Sequence, residues 1–218
     1  MSISEFESDL ENVMDRLRSR LDGEALNELD RIRRKLADLY LKGIVKTNHS
    51  VMELIVSWFL LRRGYERVDV ELNVASDLVC DVYGVRGGSS TIIEIETGFT
   101  PPEHCLDPIT YNKVRVISKI ARYSHYADKF SLAVPPYYLI LEIPLCFIKP
   151  PSARKLDELT RVKKLCDIYY KNPPVTIEQI KYAKLHTIII INVDDLEVEE
   201  VDPEGYSYTV LSRYFSIS

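Results

Sequence analysis

The most constraining feature of this chain is a Gly-Gly bend between two apolar segments that each carry acid. Arg86-Gly87-Gly88-Ser89 joins Leu78–Val85 to Ser90–Thr97. Glycine supplies the positive φ that a two-residue hairpin turn needs, so the bend predicts an antiparallel pair. It also fixes the register. With Gly87 and Gly88 at the turn, Arg86 faces Ser89, and counting back along both segments sets Asp81 opposite Glu94. Opposed residues point to one face with Cβ atoms ~5 Å apart, and strand alternation adds Glu96 to the face of Glu94. Three carboxylates are therefore expected on one patch of sheet, among Val, Ile and Leu.

Such a patch opposes folding. Two like charges ~5 Å apart repel by roughly 3 kcal/mol at an effective dielectric near 20. A dication relieves that cost, and oxygen donors favour Mg²⁺ or Mn²⁺. The bland alternative is a solvated face, or acids paired with Arg and Lys. The apolar, β-branched neighbours favour a covered central strand and hence the metal.

The rest of the chain surrounds this hairpin. Residues 3–22 and 25–42 read as two amphipathic helices, from Leu10, Met14, Leu17 and Leu21 and from Leu29, Ile32, Leu36 and Leu39. They form either a helical hairpin arm (1–45) suited to dimerisation or a solvated layer on the main domain, and both readings stand open. A helix is expected over 49–63, strands at 67–74, 78–85 and 90–97, a helix at 109–129 and a strand at 130–134. Residues 137–148 read as extended. A basic helix follows at 152–171, a short one at 176–184, an apolar strand at 186–193 and an acidic tail. Domain 46–218 thus holds a core (49–134) and a C-terminal extension (135–218). From residue 49 the order α-β-β-β-α-β predicts an α/β fold with a mixed central sheet flanked by helices.

An Asp on one strand, a hairpin, and Glu94-Ile95-Glu96 on the next, within that order, resemble the PD-(D/E)XK nuclease superfamily. The usual ending is Glu-x-Lys. This chain has Glu96 at the lysine position, a variant that some restriction endonucleases of the superfamily share. The resemblance covers about residues 49–134. It implies a restriction-endonuclease-like core and a Mg²⁺- or Mn²⁺-dependent endonuclease acting on DNA. Asp81 and Glu94 would bind the metal with the carbonyl of Ile95, and Glu96 would orient or deprotonate water. Lys119 would supply the displaced cation. Archaeal Holliday-junction resolvases of the superfamily add a glutamate on the preceding helix, and Glu53 is its match. Glu53 has a second reading as the N3 residue of a Ser50-Val51-Met52-Glu53 capping box, and both stay open.

Arg115, Lys119, Arg122 and Tyr126 recur at helical spacing, which suggests a nucleic-acid-binding face with an aromatic able to stack on a base. The helix at 152–171 is a second phosphate-contact candidate. Net charge is −5, which argues against a non-specific nucleic-acid coat but not against a nuclease. No phosphate-binding loop or dinucleotide fingerprint is present, so no nucleotide cofactor is expected. The four cysteines lack paired metal spacing and read as small buried hydrophobes. No apolar run is long enough for a membrane span, and the expected setting is cytoplasmic. A single glutamine and dense charge lean toward a thermophilic source, and the resemblance is to crenarchaeal or viral members. The expected partners are DNA and a second copy of the chain. The alternative to a nuclease is an inactive DNA-binding or dimeric scaffold protein on the same fold.

Overall fold

The computed structural model describes residues 2–136, 141–206 and 208. Its elements are α1 (Ile3–Leu17), α2 (Gly23–Leu41), α3 (Thr47–Arg62), β1 (Arg67–Ala75), β2 (Leu78–Arg86), β3 (Ser89–Ile95) and α4 (Pro108–Tyr123). They continue with β4 (Lys129–Val134), α5 (Leu145–Ile148), α6 (Leu156–Tyr169), α7 (Ile177–Tyr182), β5 (Thr187–Asn192) and β6 (Glu197–Val201). The six strands form one mixed sheet in chain order. β1, β2 and β3 are an antiparallel meander, β3, β4 and β5 run parallel, and β6 returns antiparallel to β5. The fold is α/β, with helices on both faces of the sheet.

Alternation along the strands divides the apolar core in two. Val82, Ile93, Ile95, Ala133, Ile189 and Ile191 face α1, α2 and α3. Ile92, Leu132, Ile188 and Ile190 face the layer of α4, α6 and α7. α3 is apolar nearly all round, with every residue from Met52 to Leu61 buried, because α1 and α2 cover the side that the sheet does not. Phe6, Leu10, Leu29 and Leu36 belong to that same core. The first two helices are therefore packed as a layer over α3.

α2 also closes one edge of the sheet. Arg31 Nη2 donates to Val68 O (2.6 Å) and Lys35 Nζ to Val70 O (2.5 Å), satisfying outward carbonyls of β1.

Several boundaries differ from the sequence reading. Gly23 opens α2 behind an Asp22 cap instead of breaking a run. α4 stops at Tyr123, so Tyr126 lies in the turn beyond it and does not share the helical face of Arg115 and Lys119. Of the segment read as extended, residues 137–140 lie outside the described residues and Leu145–Ile148 is a helical turn after Pro144. The acidic tail contains β6, whose Val198 packs on the α3 side while Glu200 bonds Lys129 and Thr187. Cys105 is exposed, unlike the other three cysteines. Among the described residues no helix is long and apolar enough to cross a membrane.

Gly84 lets β2 slide beneath the end of α3. A Cβ there would lie 2.7 Å from Tyr65 Cδ1 and 3.0 Å from Leu60 Cδ1. Both neighbours are held against the core, so Gly84→Ala is expected to cost about 1–3 kcal/mol by overpacking, measured as a lower denaturation midpoint at unchanged slope.

Candidate active site

The hairpin register is as expected: Arg86 pairs with Ser89 and the ladder runs to Val82↔Ile93. Asp81 and Glu94 come next, and there the backbone ladder gives way to side chains. Asp81 N–H donates to Glu94 Oε1 (3.1 Å), and Ile95 N–H donates to Asp81 Oδ2 (2.6 Å). On the other side of β2, the pairs Val70↔Val82 and Leu72↔Cys80 bracket Glu71 and Asp81. Acids on three adjacent strands thus form one row: Glu71, Asp81, Glu94.

Two groups of side chains meet at Asp81. The first is centred on Lys119, which reaches across from α4. Its ammonium lies 3.3 Å from Asp81 Oδ2, 3.2 Å from Glu94 Oε2 and 3.2 Å from Glu96 Oε1. It also donates to Ile95 O at 2.8 Å. Asp81, Glu94 and the Ile95 carbonyl are the set that the resemblance assigns to a metal, and here they surround an ammonium. One turn earlier, Arg115 donates from Nε (2.9 Å) and Nη2 (2.5 Å) to Glu96 Oε2, and from Nη1 to Phe99 O (2.5 Å). Glu96 is thereby fixed at the start of the loop that leaves the sheet. Its own N–H donates to Ala133 O (2.8 Å).

The second group lies on the α3 side. His49 Nε2 is 3.2 Å from Asp81 Oδ1. One donor atom from each of His49, Glu53, Glu71 and Asp81 falls within 4.8 Å of the others. Glu53 is fully buried and neither of its oxygens makes a hydrogen bond of acceptable geometry, although it lies against Glu71 and Ser50. A buried carboxylate with no donor is costly, and either a proton or a cation among these donors relieves that cost. Glu71 reaches the group from a backbone with φ +46°, a left-handed conformation that is uncommon outside glycine and concentrates at functional sites. The donor set of three carboxylates and one imidazole fits a divalent metal.

α3 begins at Thr47, and the Ser50 N–H already donates to Lys46 O (3.0 Å). Ser50 is inside the helix, so the capping-box reading of Glu53 is overturned. His49 and Glu53, four residues apart, share a face of α3 that looks toward β1 and β2.

The charges sort themselves by environment. Burial opposes ionisation of Asp81, but Lys119 and His49 outweigh it and hold the carboxyl well below its ordinary 3.8. Burial, then the charge of Asp81, pushes Glu94 up to about 8. Burial, with Asp81 and Glu71 adding, raises Glu53 well above 4.5, and burial and Asp81 raise Glu71. Burial would lower Lys119, yet Asp81, Glu96 and Glu94 together lift it well above 10.5, so it remains an ammonium. Asp81 is the fixed anion of the site and Lys119 the fixed cation.

Both groups border an open cleft of about 570 Å³, whose wall includes Lys46, His49, Glu71, Glu96, Arg115 and Lys119. Arg122 is held by Asp77 at 3.6 Å, and Tyr126 is 46% exposed on the far side of α4. The structure therefore brings together Asp81, Glu94, Ile95, Glu96, Lys119, Arg115 and Glu53, and leaves Arg122 and Tyr126 apart. Three of the six basic residues of the 152–171 segment are engaged. Arg154 caps the end of α7 through Ile180 O (2.9 Å) and Lys181 O (2.6 Å), and Arg161 and Lys163 pair with Asp157 and Asp167. His49 and Glu71 were missed in the sequence. The four-residue step from His49 to Glu53 was the available signal for the first. The short Ser76-Asp77 link, which pairs β1 with β2, was the signal for the second.

Glu53 provides a test. In the unfolded chain it loses its proton near 4.5, whereas the folded chain holds that proton to higher pH. Folded stability contributed by this group therefore falls as pH rises from 4.5 toward the raised value. Glu53→Gln removes the penalty, so without metal its melting temperature should exceed that of the parent by more at pH 7.5 than at pH 4.5. Thermal unfolding at the two pH values measures the difference. No protein-family model matches the chain, and comparison with curated proteins and with solved structures gives no match.

Proposed function

We propose that this protein is a divalent-metal-dependent endonuclease that hydrolyses DNA phosphodiester bonds, built on a restriction-endonuclease-like core of the PD-(D/E)XK type. The observation that carries this reading is the double role of Asp81. One of its oxygens faces the His49, Glu53 and Glu71 donors while the other faces Lys119 and the Ile95 N–H, beside an open cleft. A site that sets a cation-binding group and a permanent ammonium about 3 Å to either side of one carboxylate suits a reaction in which negative charge builds up on a phosphate. The meander β1–β3 and the parallel crossover through α4 to β4 add support from connectivity.

His49, Glu53, Glu71 and Asp81 would hold the metal, which when bound supplies Lewis-acid stabilisation of phosphate charge and acidifies water. The remaining steps fall to the chain itself. Lys119, kept protonated by three carboxylates, points a positive charge at the phosphate oxygens. Glu96 is locked by Arg115 through Oε2; its Oε1 is buried 3.2 Å from Lys119 and is the oxygen that would orient the attacking water or take its proton. Lys46 and Arg115 give the cleft wall positive charge to receive the phosphodiester backbone. Substrate is taken as DNA from the superfamily resemblance.

The test is cleavage of linear, branched and single-stranded DNA with Mn²⁺ or Mg²⁺. Asp81→Asn and Lys119→Gln are each expected to lower the rate by about 10²-fold or more, with far-ultraviolet circular dichroism unchanged. DNA that stays intact under every condition, or cleavage that survives Asp81→Asn, would leave a non-catalytic DNA-binding protein as the better reading.

A further inference from the structure

The composition of the four-residue group selects among cations. Three of its donors are carboxylate oxygens and the fourth is the Nε2 of His49, 3.2 Å from Asp81 Oδ1. Mg²⁺ favours oxygen ligands in near-ideal octahedral geometry and gives up its waters reluctantly. Here the donor atoms crowd within 4.8 Å, and the Glu53 side chain is fully buried with both oxygens unpartnered. An ion that engages all four must shed most of its hydration shell and accept nitrogen. First-row transition dications do both more readily.

We infer that His49 makes this site selective for a first-row transition dication such as Mn²⁺ over Mg²⁺. The inference rests on the reading that these four residues hold the cofactor. His49 is in the first turn of α3 and the same helix carries Glu53 one turn on, so the imidazole and the buried carboxyl stand on one helix face. Lys119 adds to the discrimination. Its ammonium occupies the all-oxygen position formed by Asp81, Glu94, Glu96 and the Ile95 carbonyl, where a hard cation would otherwise compete. Among the described residues, the donor group left at this centre for a dication is then the one that contains nitrogen.

The experiment is isothermal titration of the full chain with MnCl₂ and with MgCl₂, without nucleic acid. Mn²⁺ should bind roughly tenfold or more tightly than Mg²⁺. His49→Asp, which makes the set all oxygen, should narrow that ratio, and Glu53→Gln should weaken both ions. Pulsed electron paramagnetic resonance on the unmutated protein with Mn²⁺ gives a second readout that needs no variant. Modulation from a directly bound ¹⁴N is expected. Equal affinity for the two ions, an unchanged ratio in His49→Asp, or bound Mn²⁺ without nitrogen coupling would each overturn the inference. Selective binding with no cleavage of any DNA would sink the hydrolase and leave the ion assignment standing. Asp81-dependent cleavage with equal Mn²⁺ and Mg²⁺ affinity would do the reverse.

Discussion

One carboxylate organises the centre of this protein. Asp81 takes the N–H of Ile95 at 2.6 Å, closing the β2–β3 pair where the regular ladder ends. The same side chain anchors Lys119 from the helix layer below and meets His49 from the helix layer above. Sheet, α3 and α4 are thus tied through a single anion. Its acidity follows from that position: the Lys119 ammonium, with a hydrogen bond from His49, overcomes a burial that would otherwise neutralise it.

Around Asp81 the chain gathers more carboxyl groups than cations. Lys119 answers Glu94 and Glu96, and Arg115 answers Glu96 again, but Glu53 and Glu71 have no Lys or Arg in contact among the described residues and are pushed toward their protonated forms. Glu71 adds a left-handed backbone. Fold stability would be better served by apolar side chains at these positions, since buried ions seldom recover their desolvation cost. Such local cost concentrated in one cleft is the pattern of a site kept for binding or chemistry, with the apolar layers on both faces of the sheet supplying the compensation.

Legibility in the sequence followed the range of the physical signal. The Gly87-Gly88 bend is local, and it gave the register that places Asp81 opposite Glu94. The apolar runs of β4 and β5 and the spacing in α1 and α2 are also local, and those elements lie close to where they were expected. β6 was hidden because its valines are set among glutamates, of which Glu200 finds its partners far away, on Arg63 and Lys129. The start of α3 was misplaced because Ser50 and Glu53 mimic a cap that the helix, already under way at Thr47, does not use. His49 and Glu71 escaped for a related reason. Each gains its meaning only when α3 is laid over β1 and β2, a packing decision made by Leu54, Ile55 and Val82 in the core. Lys119 was identified as a candidate, but that it would occupy the pocket assigned to a metal depends on the length of its side chain against the separation of α4 from the sheet.

The seal that Arg31 and Lys35 place on β1 has a bearing on self-association. Backbone carbonyls that could template a foreign strand are already spoken for by α2. Along that stretch of β1 the two carbonyls are withdrawn from pairing with the strand of a second chain.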